Sequence, residues 1–246
     1  MSILTDRSDG GLLRLTLDRP EKKNALTVEM YAALADALAA ANTDGTRVVV
    51  LGGAGGALTA GNDLADFFER PPTGPESPVF RFLGALAGPE VPLVVAVRGA
   101  AVGVGTTLLL HADLSYAAPD AVFATPFTAL GLVPEAASSL LLPLRIGPAK
   151  ASELLLLGRR MLADEAAACG LVNAVVDDPD AAALDAAHRL LALPEAAMRA
   201  SKVLLRRPLQ PQVRAAMEAE AKVFLERLAA PETRAVLQAW LEKRAR

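Results

Sequence analysis

Glu135 is the residue whose type and setting most clearly suggest chemistry. It is the only charged residue between Ala121 and Leu144, a stretch that is otherwise largely apolar. Apolar surroundings raise the pKa of a carboxyl group, which suits a group that takes and returns a proton. A structural interpretation competes with this one, because Pro134-Glu135-Ala136 is also a common way to begin a helix. Taken alone, the pattern favours the helix start.

A glycine-spaced turn offers a second chemical feature, a main-chain donor. Leu93–Val97 is a β-branched run typical of a strand covered on both faces, and Gly103-Val104-Gly105 follows it. The apolar segment 106–110 predicts a buried helix, so the amide of Val104 would stand at a helix N-terminus, where N–H groups bind developing negative charge. Leu108 occupies the place of the third glycine in a dinucleotide fingerprint, which argues against that class of site.

A second loop, residues 57–67, follows the strand-like run 47–51. A small residue before Gly61 would allow a backbone N–H to approach a ligand closely, although by itself this loop is more typical of an ordinary surface turn. We predict that Asp63 caps a helix or orders the loop and that His111 is a hydrogen-bonded structural histidine.

Composition narrows the class of protein. The chain has 246 residues, 52% of them hydrophobic, and a formal net charge of −3 with a pI of about 5.5, which argues against a nucleic-acid partner. Its apolar runs are shorter than the ~20 residues of a membrane span. A lone cysteine, Cys169, excludes an internal disulfide, and two distant histidines offer no metal cluster. With no secretory signal at the N-terminus, we expect a cytoplasmic, metal-free protein.

The hydrophobic pattern predicts an α/β chain with a helical tail. Predicted helices are 28–42 with Thr27 as its cap, 80–86, 149–157, 163–169, 181–193, 195–206, 212–229 and one from 232 onward. Predicted strands are 3–5, 12–17, 47–51, 93–97 and 171–176.

Five segments, in this order and spacing, resemble the enoyl-CoA hydratase/isomerase (crotonase) superfamily. They are RPEKKNALT (19–27), ALTAGNDLADF (57–67), VVAVRGAAVGVGTTLLLHADLSYA (94–117), FATPFTALGLVPEAASSLLLPLRIG (123–147) and GRRMLADEAAACGLVNAVV (158–176). The resemblance implies a spiral of ββα repeats over residues 1–180 and a C-terminal helical region, 181–246, that helps to form trimers or hexamers. It also implies an acyl-CoA substrate and no separate cofactor, since coenzyme A is part of that substrate.

Carried onto this chain, the resemblance places the catalytic groups on Glu135 and on two oxyanion-hole amides, those of Ala60 and Val104. It further implies a set of residues that line the substrate and its CoA moiety. These are Lys22, Asn24, Ala25, Leu26, Ala60, Gly61, Asn62, Asp63, Leu64, Gly103, Phe127 and Leu130.

Two departures from the family pattern decide which reaction is expected. Hydratases of this superfamily carry two glutamates at the positions of Thr107 and Phe127 here, and neither residue can serve as a carboxylate base. The remaining acid, Glu135, resembles the single glutamate of the monofunctional, peroxisomal-type Δ3,Δ2-enoyl-CoA isomerases. Isomerisation of a 3-enoyl-CoA to 2-trans-enoyl-CoA is therefore predicted. The alternatives are an isomerase of ring-derived or epoxidised acyl-CoA, a weak hydratase and a non-catalytic CoA-thioester binder.

Overall fold

The computed structural model describes residues 2–8, 10–88 and 90–244. In this part of the chain, the strands are β1 (Ile3–Ser8), β2 (Leu12–Leu17), β3 (Val48–Gly53), β4 (Leu93–Val97), β5 (Ala100–Val102), β6 (Leu114–Ala117), β7 (Val122–Ala124), β8 (Met161–Leu162) and β9 (Ala174–Val175). The helices are α1 (Val28–Ala40), α2 (Leu64–Glu69), α3 (Pro78–Ala87), α4 (Val104–Thr107), α5 (Ser138–Ile146), α6 (Pro148–Leu157), α7 (Ala163–Ala168), α8 (Pro179–Leu191), α9 (Glu195–Arg206), α10 (Gln210–Ala229) and α11 (Pro231–Arg244).

The main sheet has the strand order β1-β2-β3-β4-β6-β9 and is parallel apart from the β1–β2 pair. Its central strands are buried on both faces, which explains their unbroken apolar sequence. In β3, Val49 and Leu51 join the larger hydrophobic core, whereas Val48 and Val50 face α8 and pack in a smaller cluster with Ala183. The alternation of side chains along a strand thus separates two cores.

A second layer of short strands repeats beside the main sheet. It contains β5, β7 and β8, and it is extended by a parallel bridge between Thr59 and Ala101. Three successive units therefore share one pattern, in which a main-sheet strand is followed by a second-layer strand and then by a helix or 3-10 turn: β3–Thr59–α2, β4–β5–α4, and β6–β7 followed by residues 128–130. This stacking brings the residues that follow Thr59 and Ala101 side by side, as the predicted ββα spiral requires.

The elements predicted from sequence differ from the structure mainly in their bounds. Thr27 caps α1 as expected, accepting a hydrogen bond from the amide of Met30. The buried helix predicted for 106–110 is instead the four-residue α4 followed by a 3-10 turn at Leu108–Leu110. The strand predicted for 171–176 shortens to β9, and α5 begins at Ser138, later than the helix start that the Pro134-Glu135-Ala136 pattern indicated.

The C-terminal helices are not separate from the core. α8 packs on β3, β4 and β6, and Lys202 of α9 forms an ion pair with Asp113 and donates to the carbonyl of Val91. α10 packs against α5. The predicted boundary at residue 180 between the spiral core and the C-terminal helical region stays a prediction. Among the described residues, no helix combines the length and apolar character needed to cross a membrane.

Candidate active site

Glu135 lies in a tight turn and not at a helix start, so the structural interpretation of Pro134-Glu135-Ala136 is wrong. The two residues after it, Ala136 and Ala137, both adopt left-handed backbone conformations, with φ of 59° and 56°. α5 begins only at Ser138. The turn leaves the Glu135 side chain just 4% exposed.

The surroundings of Glu135 favour its protonated form. Burial and, to a smaller extent, the neighbouring charge of Glu220 raise its pKa to about 8, against the lowering effect of a hydrogen bond from the side chain of Thr107. Tyr31 is also close, because burial and the charge of Glu135 together raise the pKa of the Tyr31 hydroxyl. Glu135 is thus a buried carboxyl that can exchange its proton near neutral pH, as expected of a group in acid/base catalysis.

The amide of Val104 is free to bind an anion. Val104 is the first residue of α4, and Gly103 before it has a φ of 57° that turns the chain sharply into the helix. The carbonyl of Gly103 accepts from the amides of Thr106 and Thr107, whereas the amide of Val104 donates to no acceptor within the described residues. Thr107, the hydrogen-bond partner of Glu135, lies one helical turn beyond this amide.

The assignment of the other oxyanion-hole amide to Ala60 needs correction. The amide of Ala60 donates to the carbonyl of Lys23 at 2.8 Å and is therefore occupied. Leu26 forms a parallel bridge with Asn62, in which Leu26 donates to Gly61 and accepts from Asp63. In such a bridge the N–H of the central residue, Asn62, points away from its partner strand. The amide of Asn62 donates to no acceptor in the described part of the chain.

The register of the second layer also favours the amide of Asn62 over that of Ala60 as the second oxyanion donor. Thr59 bridges Ala101, and Asn62 and Val104 each lie three residues beyond that bridge. The two segments approach closely, because a Cβ added to Gly105 would lie 2.6 Å from Cγ2 of Thr59. The amides of Asn62 and Val104 are therefore the two candidate donors to an oxyanion.

The predicted CoA-binding loop divides into exposed and structural residues. Lys22 is exposed and accessible, and Ala25 is half-buried. Asn24 is fully buried, and its side chain donates to the carbonyls of Ala54 and Ala57 while accepting from the amide of Arg19. Every polar atom of the Asn24 side chain is occupied, so this side chain orders the loop, and contact between residue 24 and CoA stays a prediction.

Residues 61–64 lie beside the site, and one of them, Asp63, also orders the loop. Gly61 is buried, and Leu64 is half-buried at the start of α2. The carboxylate of Asp63 caps α2 and forms an ion pair with Arg19 at 2.6 Å, which confirms its predicted structural role. The side-chain oxygen of Asn62 accepts a hydrogen bond from the hydroxyl of Tyr31.

Aromatic and aliphatic side chains cover the turn at Gly103 and Val104, which we call the oxyanion turn. Phe127 is buried, and a Cβ added to Gly103 would lie 3.8 Å from its ring. Leu130 is half-buried in the 3-10 turn that follows. His111 has its predicted structural role, since Nε2 lies 2.8 Å from the carbonyl of Ala136, and burial lowers its pKa to about 4.

A cleft of about 360 Å³ opens beside Tyr31 and Leu26. Its other walls are α2 and the segment 70–79. A smaller cleft of about 210 Å³ shares Phe67, Pro71 and Pro72 with it and reaches the tail helices at Leu225, Leu228 and Leu237.

Comparison with known proteins identifies the family of the chain. The enoyl-CoA hydratase/isomerase family matches residues 7–246, which is nearly the whole chain. The chain belongs to this family. A crystal structure of an enoyl-CoA hydratase/isomerase from Pseudoalteromonas atlantica is 45% identical, with a TM-score of 0.93, and the alignment covers 99% of this chain and 98% of that one. The crotonase fold predicted from sequence is thereby confirmed.

Two curated relatives in the enoyl-CoA hydratase/isomerase family are isomerases by name. Human enoyl-CoA delta isomerase 2 is 37% identical over 88% of this chain, which spans only 57% of the length of that protein. The 1,2-epoxyphenylacetyl-CoA isomerase of Escherichia coli is 38% identical over 72% of this chain and 71% of its own.

One residue of the site was missed by sequence analysis. Glu220 is only 8% exposed, and its carboxylate accepts hydrogen bonds from the amides of Ala137 and Ser139 and from the Ser139 hydroxyl. A signal for it existed, because Val213, Glu220 and Phe224 lie on one face of α10 and all are buried. An acid at a core position of an amphipathic helix indicates a buried partner.

Proposed function

We propose that this protein isomerises a 3-enoyl-CoA to 2-trans-enoyl-CoA. Glu135 acts as the single acid/base, and the amides of Asn62 and Val104 bind the thioester oxygen. The observation that carries the proposal is the placement of a buried carboxyl of raised pKa against Thr107, one turn of α4 beyond the free amide of Val104.

The reaction begins with polarisation of the thioester. Hydrogen bonds from the two amides draw electron density toward the carbonyl oxygen and make the protons on C2 more acidic. Glu135 removes one of these protons, and the C–H electron pair moves into a dienolate whose oxyanion the same amides stabilise. The protonated Glu135 then returns the proton to C4, while the double bond moves to C2–C3. One carboxyl suffices because a group placed over one face of the planar dienolate can reach both C2 and C4.

The residues around Glu135 suit isomerisation better than hydration. Thr107 and Phe127 occupy the positions at which the hydratase pattern has glutamates; Thr107 hydrogen-bonds to Glu135, and Phe127 covers the oxyanion turn. Neither side chain can activate water as a base. The relatives named as enoyl-CoA delta isomerases support the same reaction.

The acyl-CoA substrate carries its own coenzyme A, and the proposed steps use no group beyond it. Assembly into trimers or hexamers remains a prediction that follows from the resemblance, and a cytoplasmic location remains one that follows from composition and the N-terminal sequence.

Replacing Glu135 by Gln tests the proposal. General acid/base catalysis contributes about 10²–10⁴ in rate, so we expect Glu135→Gln to lower the isomerisation rate by at least that factor. The assay follows the absorbance of the conjugated thioester formed from a 3-enoyl-CoA. Glu218→Gln, an exposed change on α10, is the control and retains full activity. A Glu135→Gln rate near that of the wild type would refute the assignment of the base.

A second candidate is isomerisation of an epoxidised aromatic acyl-CoA. It is favoured by the similarity to the Escherichia coli enzyme named for 1,2-epoxyphenylacetyl-CoA. Purified protein assayed with aliphatic 3-enoyl-CoA and with the epoxide distinguishes the two by kcat/KM. Stabilisation by acyl-CoA without turnover of any of these substrates would indicate a binding protein.

A further inference from the structure

Glu220, in the C-terminal helical region, reaches the turn that carries Glu135. Its Oε2 accepts from the amide of Ala137 at 2.7 Å, and its Oε1 accepts from the amide and hydroxyl of Ser139 at 2.9 and 2.5 Å. These amides belong to the residue that precedes α5 and to the second residue of α5, and the N-cap residue Ala137 offers no side-chain cap. Glu220 therefore caps α5 from a helix that is distant in sequence.

The turn held by Glu220 is one that its own sequence disfavours. Ala136 and Ala137 are consecutive non-glycine residues in the left-handed region, where the Cβ crowds the backbone. Such a conformation persists only when the surrounding structure enforces it.

His111 holds the same turn from the other side. A carbonyl only accepts hydrogen bonds, so Nε2 of His111 carries the proton and donates it to the carbonyl of Ala136 at 2.8 Å. His111 and Glu220 thus hold the two sides of one peptide group, since His111 binds the carbonyl of Ala136 and Glu220 binds the amide of Ala137. The backbone from which the Glu135 side chain extends has one arrangement as long as both contacts are made.

We propose that Glu220 is a positioning residue, whose carboxylate enforces the Ala136–Ala137 turn and so aims the Glu135 carboxyl at the reacting carbons. The proposal rests on the isomerase function proposed above. Glu220 does not touch the substrate in this account, because both of its oxygens are engaged by residues 137–139.

A carboxylate is required at position 220 because donors face both of its oxygens. Glutamine has the same shape but only one acceptor oxygen, and its NH₂ group would face an N–H donor of Ala137 or Ser139. The Glu220→Gln protein would lose at least one of these hydrogen bonds and leave a buried amide without an acceptor.

The charged and titratable groups facing Glu135 are Tyr31 from α1 and Glu220 from α10, with Thr107 of α4 as a neutral hydrogen-bond partner. His111 faces the turn and is neutral at pH 7, because burial lowers its pKa to about 4. Among these groups, Glu220 is the one whose charge opposes ionisation of Glu135 at neutral pH. Its removal should move the pH profile of the reaction toward lower pH.

The experiment compares Glu220→Gln with Glu218→Gln, an exposed glutamate on the same helix. We expect Glu220→Gln to lower kcat at least tenfold, to change KM by less than about threefold, and to shift the pH profile of kcat/KM toward lower pH. Glu218→Gln should match the wild type in all three. A folded Glu220→Gln protein with wild-type kcat and pH profile would overturn the proposal.

Two further measurements keep the outcome decisive. If Glu220→Gln does not fold, Ser139→Ala removes only the hydroxyl contact, and we expect a smaller fall in kcat with unchanged KM; an unchanged kcat would count against the proposal. If the wild type does not isomerise 3-enoyl-CoA, the proposed function fails by itself. The positioning role is then tested by unfolding at pH 8. The change in unfolding free energy caused by Glu135→Gln is measured once in the wild-type protein and once in the Glu220→Gln variant, and we expect the two changes to differ. Equal changes would overturn it.

Discussion

Replacing Glu135 by Gln should make the folded protein more stable at neutral and alkaline pH, although it removes the proposed base. The unfolded chain holds this carboxyl at its ordinary pKa of 4.5, whereas burial and Glu220 raise the pKa to about 8 in the folded state. Below pH 4.5 both states keep the proton, and the contribution of Glu135 to stability is fully present. As the pH rises from 4.5 to about 8, the unfolded state releases a proton that the folded state retains, and the folded state loses stability.

The size of the effect follows from the width of that pH range. Each unit of pKa difference corresponds to about 1.4 kcal/mol, so the interval from 4.5 to about 8 gives roughly 3–5 kcal/mol at pH 8. This is a large part of the ~5–15 kcal/mol by which domains are typically stable. Glutamine does not ionise, so Glu135→Gln escapes this loss. The difference in unfolding free energy between the two proteins should therefore be small at pH 4.5 and grow up to pH 8.

The assay is urea unfolding of wild type, Glu135→Gln and the control Glu218→Gln at several pH values. Protein concentration is held fixed because assembly would add to the measured stability. We expect Glu218→Gln to follow the wild type throughout. A constant difference between wild type and Glu135→Gln, or one in which the variant becomes the less stable protein as pH rises, would refute the idea that burial suppresses ionisation of Glu135.

Three other predictions follow from the same site. Because Glu135 must be ionised to accept a proton, kcat/KM should rise with pH and level off above about 8, and a profile that is flat between pH 6 and 9 would contradict the assignment. Val104→Pro removes the free amide and should lower kcat by about 10²–10³, whereas Val104→Ala keeps the N–H and should stay close to wild type; equal rates would show that this amide is not used. Asn24→Ala removes three buried hydrogen bonds and should reduce thermal stability while leaving the CoA affinity of the folded protein unchanged, and weaker CoA binding without destabilisation would contradict the structural role.

Local signals in the sequence predicted the α/β class, whereas the resemblance to the superfamily predicted the crotonase fold and the proposed role of Glu135. The β-branched runs at 47–51 and 93–97 indicated buried strands, and Thr27 indicated the start of α1, because strand burial and helix capping are encoded within a few residues. The isolated acid at 135 and the turn at 103–105 indicated chemistry for the same reason.

The sequence-based predictions failed where the structure depends on contacts between residues that are distant in sequence. Which amide of residues 60–62 is free depends on the bridge between Leu26 and Asn62, which the sequence of the loop does not reveal. The role of Glu220 depends on the packing of α10 against α5. The strand β8 is two residues long and exists only because it pairs with β7, so no periodicity could have predicted it.

A second buried carboxyl beside Glu135 does not turn the site into a hydratase site. Water addition needs an acid that can give or take a proton at the substrate, whereas both oxygens of Glu220 accept hydrogen bonds from residues 137–139. Those donors favour the ionised form of Glu220, which counteracts the rise in its pKa caused by burial. An ionised Glu220 in turn favours the protonated form of Glu135, so the pair divides the work, one carboxyl holding the turn and the other exchanging the proton. One exchangeable proton near the thioester is what a shift of a double bond requires, because the proton that leaves C2 is the one that C4 receives.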